Sequence, residues 1–211
     1  MQIIVFGATG MVGKHIVQLA LANGHSVVAF GRNVTSLLDA DKNSDQLKAI
    51  KGYVFDEHEV YEALQGCDAV ISVLGGAFDG SDKSRSLGIK NIIKQMENSA
   101  VKRIVALGGL GILNAEGEGL IMDLPTYPAA YLPVGREHLQ AYNFLKDSNL
   151  DWTFVCAPDI KEEVATGNYT TNKDYPPQPN NNKIAAGDLA AFMLAEAEKN
   201  GHVKSRVGIS N

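Results

Sequence analysis

Cysteine is scarce in this chain: Cys67 and Cys156 are the only two in 211 residues, both lie in apolar runs, and neither has a C-x-x-C partner. That excludes a disulfide framework and a cysteine-based metal cluster, and it predicts a reducing, cytoplasmic setting. Basic residues are in deficit, 19 against 24 acids, for a formal charge of −5. A broad phosphate-binding face for nucleic acid is not expected, while a small pocket for a few phosphates is compatible with that balance. Long apolar runs are missing too. The first six residues have no basic flank and lead straight into a glycine turn, so neither a targeting signal nor a membrane span is expected. There is no internal repeat. The chain does have apolar residues at 45% with 20% charged, enough to build a core and too many for a disordered segment. The length suits one domain over residues 1–211, as a monomer or small homo-oligomer.

Strand and helix patterns alternate. Wholly apolar runs predict buried strands at 3–6, 26–30, 69–74, 103–107 and 152–156, with a weaker one at 49–54 and a last one near 203–209. Helical spacing appears at 12–22, closed by Asn23-Gly24, and at 57–65, 84–99 and 137–147. A final helix is expected at 188–199 with Asp188 as its N-cap. This order predicts an α/β fold, a doubly wound parallel sheet of the Rossmann type. Two stretches break the rhythm, 108–133 (rich in Gly and Pro) and 162–183 (polar, with Pro176-Pro177 and an Asn run). Both follow carboxyl ends of expected strands, so segments near 109–134 and 159–184 are read as a small loop-rich substrate region.

The turn Gly7-Ala8-Thr9-Gly10-Met11-Val12-Gly13 carries the strongest signal. It fits G-x-x-G-x-x-G between the first strand and the first helix. A pyrophosphate needs backbone donors at close range. Gly7 permits the tight turn, Gly10 removes a side chain that would block the phosphates, Gly13 lets helix and strand pack, and the helix N-terminus holds the anion. After the second strand, NAD specificity usually places an acid on the ribose 2′-hydroxyl. Here the residues are Phe30-Gly31-Arg32-Asn33. The guanidinium fork of Arg32 suits a 2′-phosphate, so NADP(H) is expected over NAD(H).

The glycine turn, the segment from Asp68 to Gly75, the run from Lys90 to Val105, the stretch Leu145 to Thr153 and the Cys156-Ala157-Pro158 that follows resemble the atypical short-chain dehydrogenase/reductases. Within that group the chain is similar to the flavin reductase/biliverdin reductase B type and its NADH-flavin reductase cousins. The resemblance implies that Gly7, Ala8, Thr9, Gly10, Met11, Val12 and Gly13 form the pyrophosphate turn and that Arg32 faces the 2′-phosphate. It implies further that Leu74, Gly75 and Gly76 border the riboses, that Leu107, Gly108 and Gly109 lie near the nicotinamide, and that Pro158, Asp159 and Ile160 close over it.

Departures from the family pattern shape the chemistry. Gly109 stands where a serine is usual, and Tyr53 where many relatives carry an adenine-contacting Asp; Tyr53 is expected to pack. Tyr142 and Lys146 spell Tyr-x-x-x-Lys but sit too close to the sixth strand. Alignment through Ser148 puts the family's lysine position at His138 and its tyrosine position at Val134, which leaves His138 as the candidate catalytic group. Without the tyrosine, a simple ketone lacks its proton donor. A flavin-like or quinone-like acceptor spreads the incoming charge and takes its proton from water, so such a small-molecule substrate is expected. Tyr127 and Tyr131 are read as loop-packing residues, with stacking against the substrate as the alternative role. The alternative is a sensor that binds NAD(P)H without turnover.

Overall fold

The structure is a computed structural model that describes residues 1–34, 37 and 45–211. Its strands are β1 (Gln2–Phe6), β2 (Ser26–Gly31), β3 (Leu47–Lys51), β4 (Ala69–Ser72), β5 (Arg103–Gly109), β6 (Asp151–Ala157), β7 (Asp159–Lys161), β8 (Thr170–Lys173), β9 (Lys183–Ala185) and β10 (Ser205–Ser210). Its helices are α1 (Met11–Ala22), α2 (Glu57–Leu64), α3 (Ile89–Glu97), α4 (Leu132–Lys146) and α5 (Ala186–Lys199).

Eight strands form one sheet in the order β3-β2-β1-β4-β5-β6-β10-β8. All neighbours are parallel except β8, which runs antiparallel along β10. This is the expected doubly wound α/β arrangement. Alternation along β1 shows why both faces are covered: Ile3 and Val5 enter one core with α1 and α5, while Ile4 and Phe6 enter the other with α2, α3 and α4. Among the described residues no helix is long and apolar enough to cross a membrane.

Several expectations shift. The run at 49–54 pairs two residues earlier, as β3, and after Gly52 the chain turns away from the sheet. The pattern at 84–99 splits into a π-turn at Ser84–Gly88 and α3. Helix α4 starts at Leu132 rather than 137, because Pro133 lies in its first turn, where a missing N–H loses no bond. The two irregular stretches hold 3₁₀ turns at Leu110–Ile112, Ile121–Asp123 and Ala129–Tyr131 and the short strands β7, β8 and β9.

Asp188 is not an N-cap. Helix α5 begins two residues earlier, and Asp188 is fully buried in its first turn. Its carboxylate accepts from the N–H groups of Thr166 and Gly167, the Thr166 hydroxyl and the Asn211 amide, each at 2.8 Å. Burial pushes its pKa up, but these donors outweigh that and leave it below the ordinary carboxylate range. The sequence shows an acid in a helix's first turn; the long-range donors that claim it are set by the fold.

Candidate active site

Strand order reverses between β1 and β4, and the loops leaving their carboxyl ends open a crevice there. Gly7 follows β1 with φ +85°, where a Cβ would come within 2.6 Å of the Val73 carbonyl oxygen. A Cβ on Gly13 would sit 2.2 Å from the Gly7 oxygen and 2.8 Å from Ala8 Cα, so α1 packs against the turn only because that atom is missing. Gly10 differs. Its φ of −72° and ψ of 172° suit any residue, and a Cβ there would meet only the Gly7 oxygen, at 3.3 Å. No side chain caps α1 and its first turn holds no acid, which leaves the N–H groups and positive end of the helix free for an anion.

A cavity of about 1310 Å³ runs from this turn across the carboxyl ends of the sheet. Ligand pockets usually hold about 300–1,000 Å³, so there is room for a dinucleotide and a second molecule. Thr9, Gly10, Met11, Val12, Arg32, Leu74, Gly75, Gly76, Leu107, Gly108, Gly109, Pro158, Asp159 and Ile160 line it with Gly7, and so does His138. Ala8 and Gly13 do not: Ala8 is fully buried and Gly13 is the packing glycine. The Arg32 guanidinium makes no hydrogen bond to a described residue, and Asp82 on the same wall carries the nearby opposite charge.

His138 projects from α4 against Gly109: a Cβ on that glycine would stand 2.9 Å from the imidazole Cδ2 and 3.4 Å from Nε2. The serine usual at 109 would collide with this ring, so the glycine and the histidine belong together. His138 Nδ1 is buried without a partner. Burial, and then the charge of Arg85, lower its pKa from 6.5 to about 3. His138 is therefore a neutral imidazole near pH 7.

Tyr142 stands apart from the cavity. It stacks on Phe154 with centroids 6.1 Å apart and meets Trp152 edge-on at 5.8 Å. Tyr53 does not pack; it is 56% exposed and lines the cavity. Its N–H donates to Glu59 Oε2 at 2.7 Å. Tyr127 packs as expected, its hydroxyl over Gly111 and Gly135, and burial followed by the proximity of Tyr131 raises its phenol pKa. Tyr131 does not pack in the loop and is half exposed. The sequence reading missed Phe78, Asp82 and Arg85 on the cavity wall. Arg85 carried no motif; its nearly complete burial and its bonds to the carbonyl oxygens of Ala77 (3.0 Å) and Gly76 (2.9 Å) come from the loop's path.

The fold and the glycine-turn cavity define a dinucleotide-binding α/β protein. More narrowly, the chain belongs to the NAD(P)H-binding family, whose model matches residues 7–200. A Bacteroides thetaiotaomicron protein provisionally named an epimerase is similar at 30% identity with a TM-score of 0.86, over 99% of this chain and 96% of that one. A Streptococcus pneumoniae protein provisionally named an NADH-flavin reductase is similar at 26% identity with a TM-score of 0.84, over 100% and 99%. An isoflavone reductase homologue of Zea mays is 32% identical, over 48% of this chain and 33% of that protein.

Proposed function

We propose that the protein is an NADP(H)-preferring reductase of conjugated small-molecule acceptors, flavin-like or quinone-like. The carrying observation is the cavity itself. One end is a glycine turn whose Gly10 has a backbone conformation open to any residue, and the other end presents His138 as an imidazole that is neutral near pH 7. The residues fit the cofactor: an uncapped helix start for a pyrophosphate, an exposed guanidinium for a 2′-phosphate, and open space beside Gly75, where a Cβ would meet nothing.

In this reading Gly7 and Thr9 to Val12 hold the pyrophosphate, with Ala8 and Gly13 fixing the turn from behind. Arg32 holds the 2′-phosphate, Leu74 to Gly76 border the riboses, and Leu107 to Gly109 with Pro158 to Ile160 enclose the nicotinamide. When bound, the cofactor supplies a hydride. The chain's part is to place the acceptor and exclude water from the transfer. His138 at about pKa 3 cannot act as an imidazolium acid at pH 7; it can offer a neutral ring nitrogen to a polar acceptor atom. A raised Tyr127 phenol and a lowered Asp82 carboxylate are equally ill-matched to proton delivery. An acceptor that delocalises charge needs no such donor. The name of the Streptococcus pneumoniae relative supports a flavin as one such acceptor.

The test is NADPH oxidation with riboflavin, FMN and quinones. Acceleration by the protein supports the reading, and none across the panel overturns it. The same neutral site also suits a sensor, which would bind NADPH tightly and turn over nothing.

A further inference from the structure

Two aromatic rings on the cavity wall are left exposed. Phe78 is 63% exposed and Tyr131 is 51% exposed, on different loops, with centroids 6.5 Å apart and planes at 50°. Their supports are fixed. The Arg85 guanidinium lies 5.5 Å from the Phe78 ring centre and is tied to two carbonyls of that loop. The Tyr131 N–H donates to the Pro128 oxygen at 2.9 Å. A planar molecule between two rings needs about 7 Å, twice the optimal carbon–carbon separation of about 3.5 Å. The pair is about half an ångström short of that, so the rings must turn parallel and part slightly to admit one. Exposed aromatic surface facing a cavity is what a stacking site presents.

The charge around the rings narrows the ligand further. The cationic residues on the cavity wall are Arg32 and Arg85, and Arg85 is bonded to carbonyls. Lys161, beside Tyr131, pairs with Asp159 at 2.5 Å, and Lys83 pairs with buried Glu137 at 2.7 Å. Asp82 and Asp159 add negative charge to the wall. Among the described residues, no cation at this end is free to hold a phosphate.

We infer that Phe78 and Tyr131 clamp the acceptor of the proposed reductase, and that this acceptor is a planar ring system without a phosphate. The inference rests on the reductase reading for the word acceptor, and its test keeps the two apart. Riboflavin fluorescence quenching is titrated with wild type, Phe78→Leu and Tyr131→Leu at saturating NADP⁺. Each substitution is expected to weaken riboflavin about tenfold and to leave NADP⁺ affinity unchanged. Phe78→Tyr and Tyr131→Phe are expected to bind as wild type does. FMN, with a phosphate of about −1.5 to −2 charge, is expected to bind wild type at least about tenfold more weakly than riboflavin, with the gap narrowing in salt. Leucine variants that bind riboflavin as tightly as wild type, FMN equal to riboflavin, or a wild type that binds no riboflavin overturns the clamp. Clamp-dependent riboflavin binding without NADPH oxidation upholds the clamp and removes the reductase reading. Oxidation indifferent to both rings does the reverse.

Discussion

Replacing Gly10 with alanine separates a glycine kept for the fold from one kept for a ligand. The backbone at Gly10 is in a region open to every residue, and the added methyl would meet only the Gly7 oxygen, at 3.3 Å. Alanine is a poorer N-cap than glycine, so G10A should destabilise the protein by no more than about 1 kcal/mol, a melting shift of about 2–4 °C at this size. Gly13→Ala is the opposite case. Its methyl would lie 2.2 Å from one backbone atom and under 3 Å from two more, so α1 must move off the turn. That overpacking should cost about 3 kcal/mol, or about 6–12 °C. Fluorescence titration with NADPH should then show G10A, though folded, binding at least about tenfold more weakly, a loss of about 1.4 kcal/mol. A G10A protein that melts near wild type and binds NADPH undiminished would refute the placement of the pyrophosphate.

Three further outcomes follow from the same geometry. Arg32→Ala should weaken NADPH about 10- to 100-fold, the worth of a charged hydrogen bond, and leave NADH almost unchanged in parallel calorimetric titrations. His138 titrates at about 3 when folded against 6.5 when unfolded, so between these values the unfolded chain binds more protons and stability falls as pH falls. The loss reaches up to about 2 kcal/mol at pH 5, and His138→Gln should flatten that slope in melting curves taken from pH 7 to pH 5. Asp188→Asn should lower stability by about 2–4 kcal/mol, because donors converge on a carboxylate that an amide satisfies only in part; a melting point unchanged at pH 7 would show that the cluster is solvated instead.

Locally encoded features were legible in the sequence. Apolar runs ending at glycine fixed the central strands, and the glycine spacing placed the turn at the mouth of the cavity. What was not legible depends on distant partners. Strands β7 and β9 pair across a gap of more than twenty residues, and each is only three residues long, too short for a periodicity to show. Tyr53 reads as a packing residue in the sequence, but the path of the chain after β3 leaves it exposed on the cavity wall. Phe78 and Tyr131, far apart in the chain, meet because two loops end at the same side of one sheet. His138 could be placed by counting through Ser148, but its sealed Nδ1 and neutral charge required the three-dimensional surroundings.

The central claim is that one cavity holds a nicotinamide dinucleotide on the glycine turn with its reactive end beside His138. A crystal structure of the protein with NADP⁺ tests it most directly. The account predicts the pyrophosphate against residues 10–12, the 2′-phosphate on Arg32 and the nicotinamide ring between Gly109 and Pro158. A dinucleotide bound elsewhere, or one whose nicotinamide points away from His138, would contradict it.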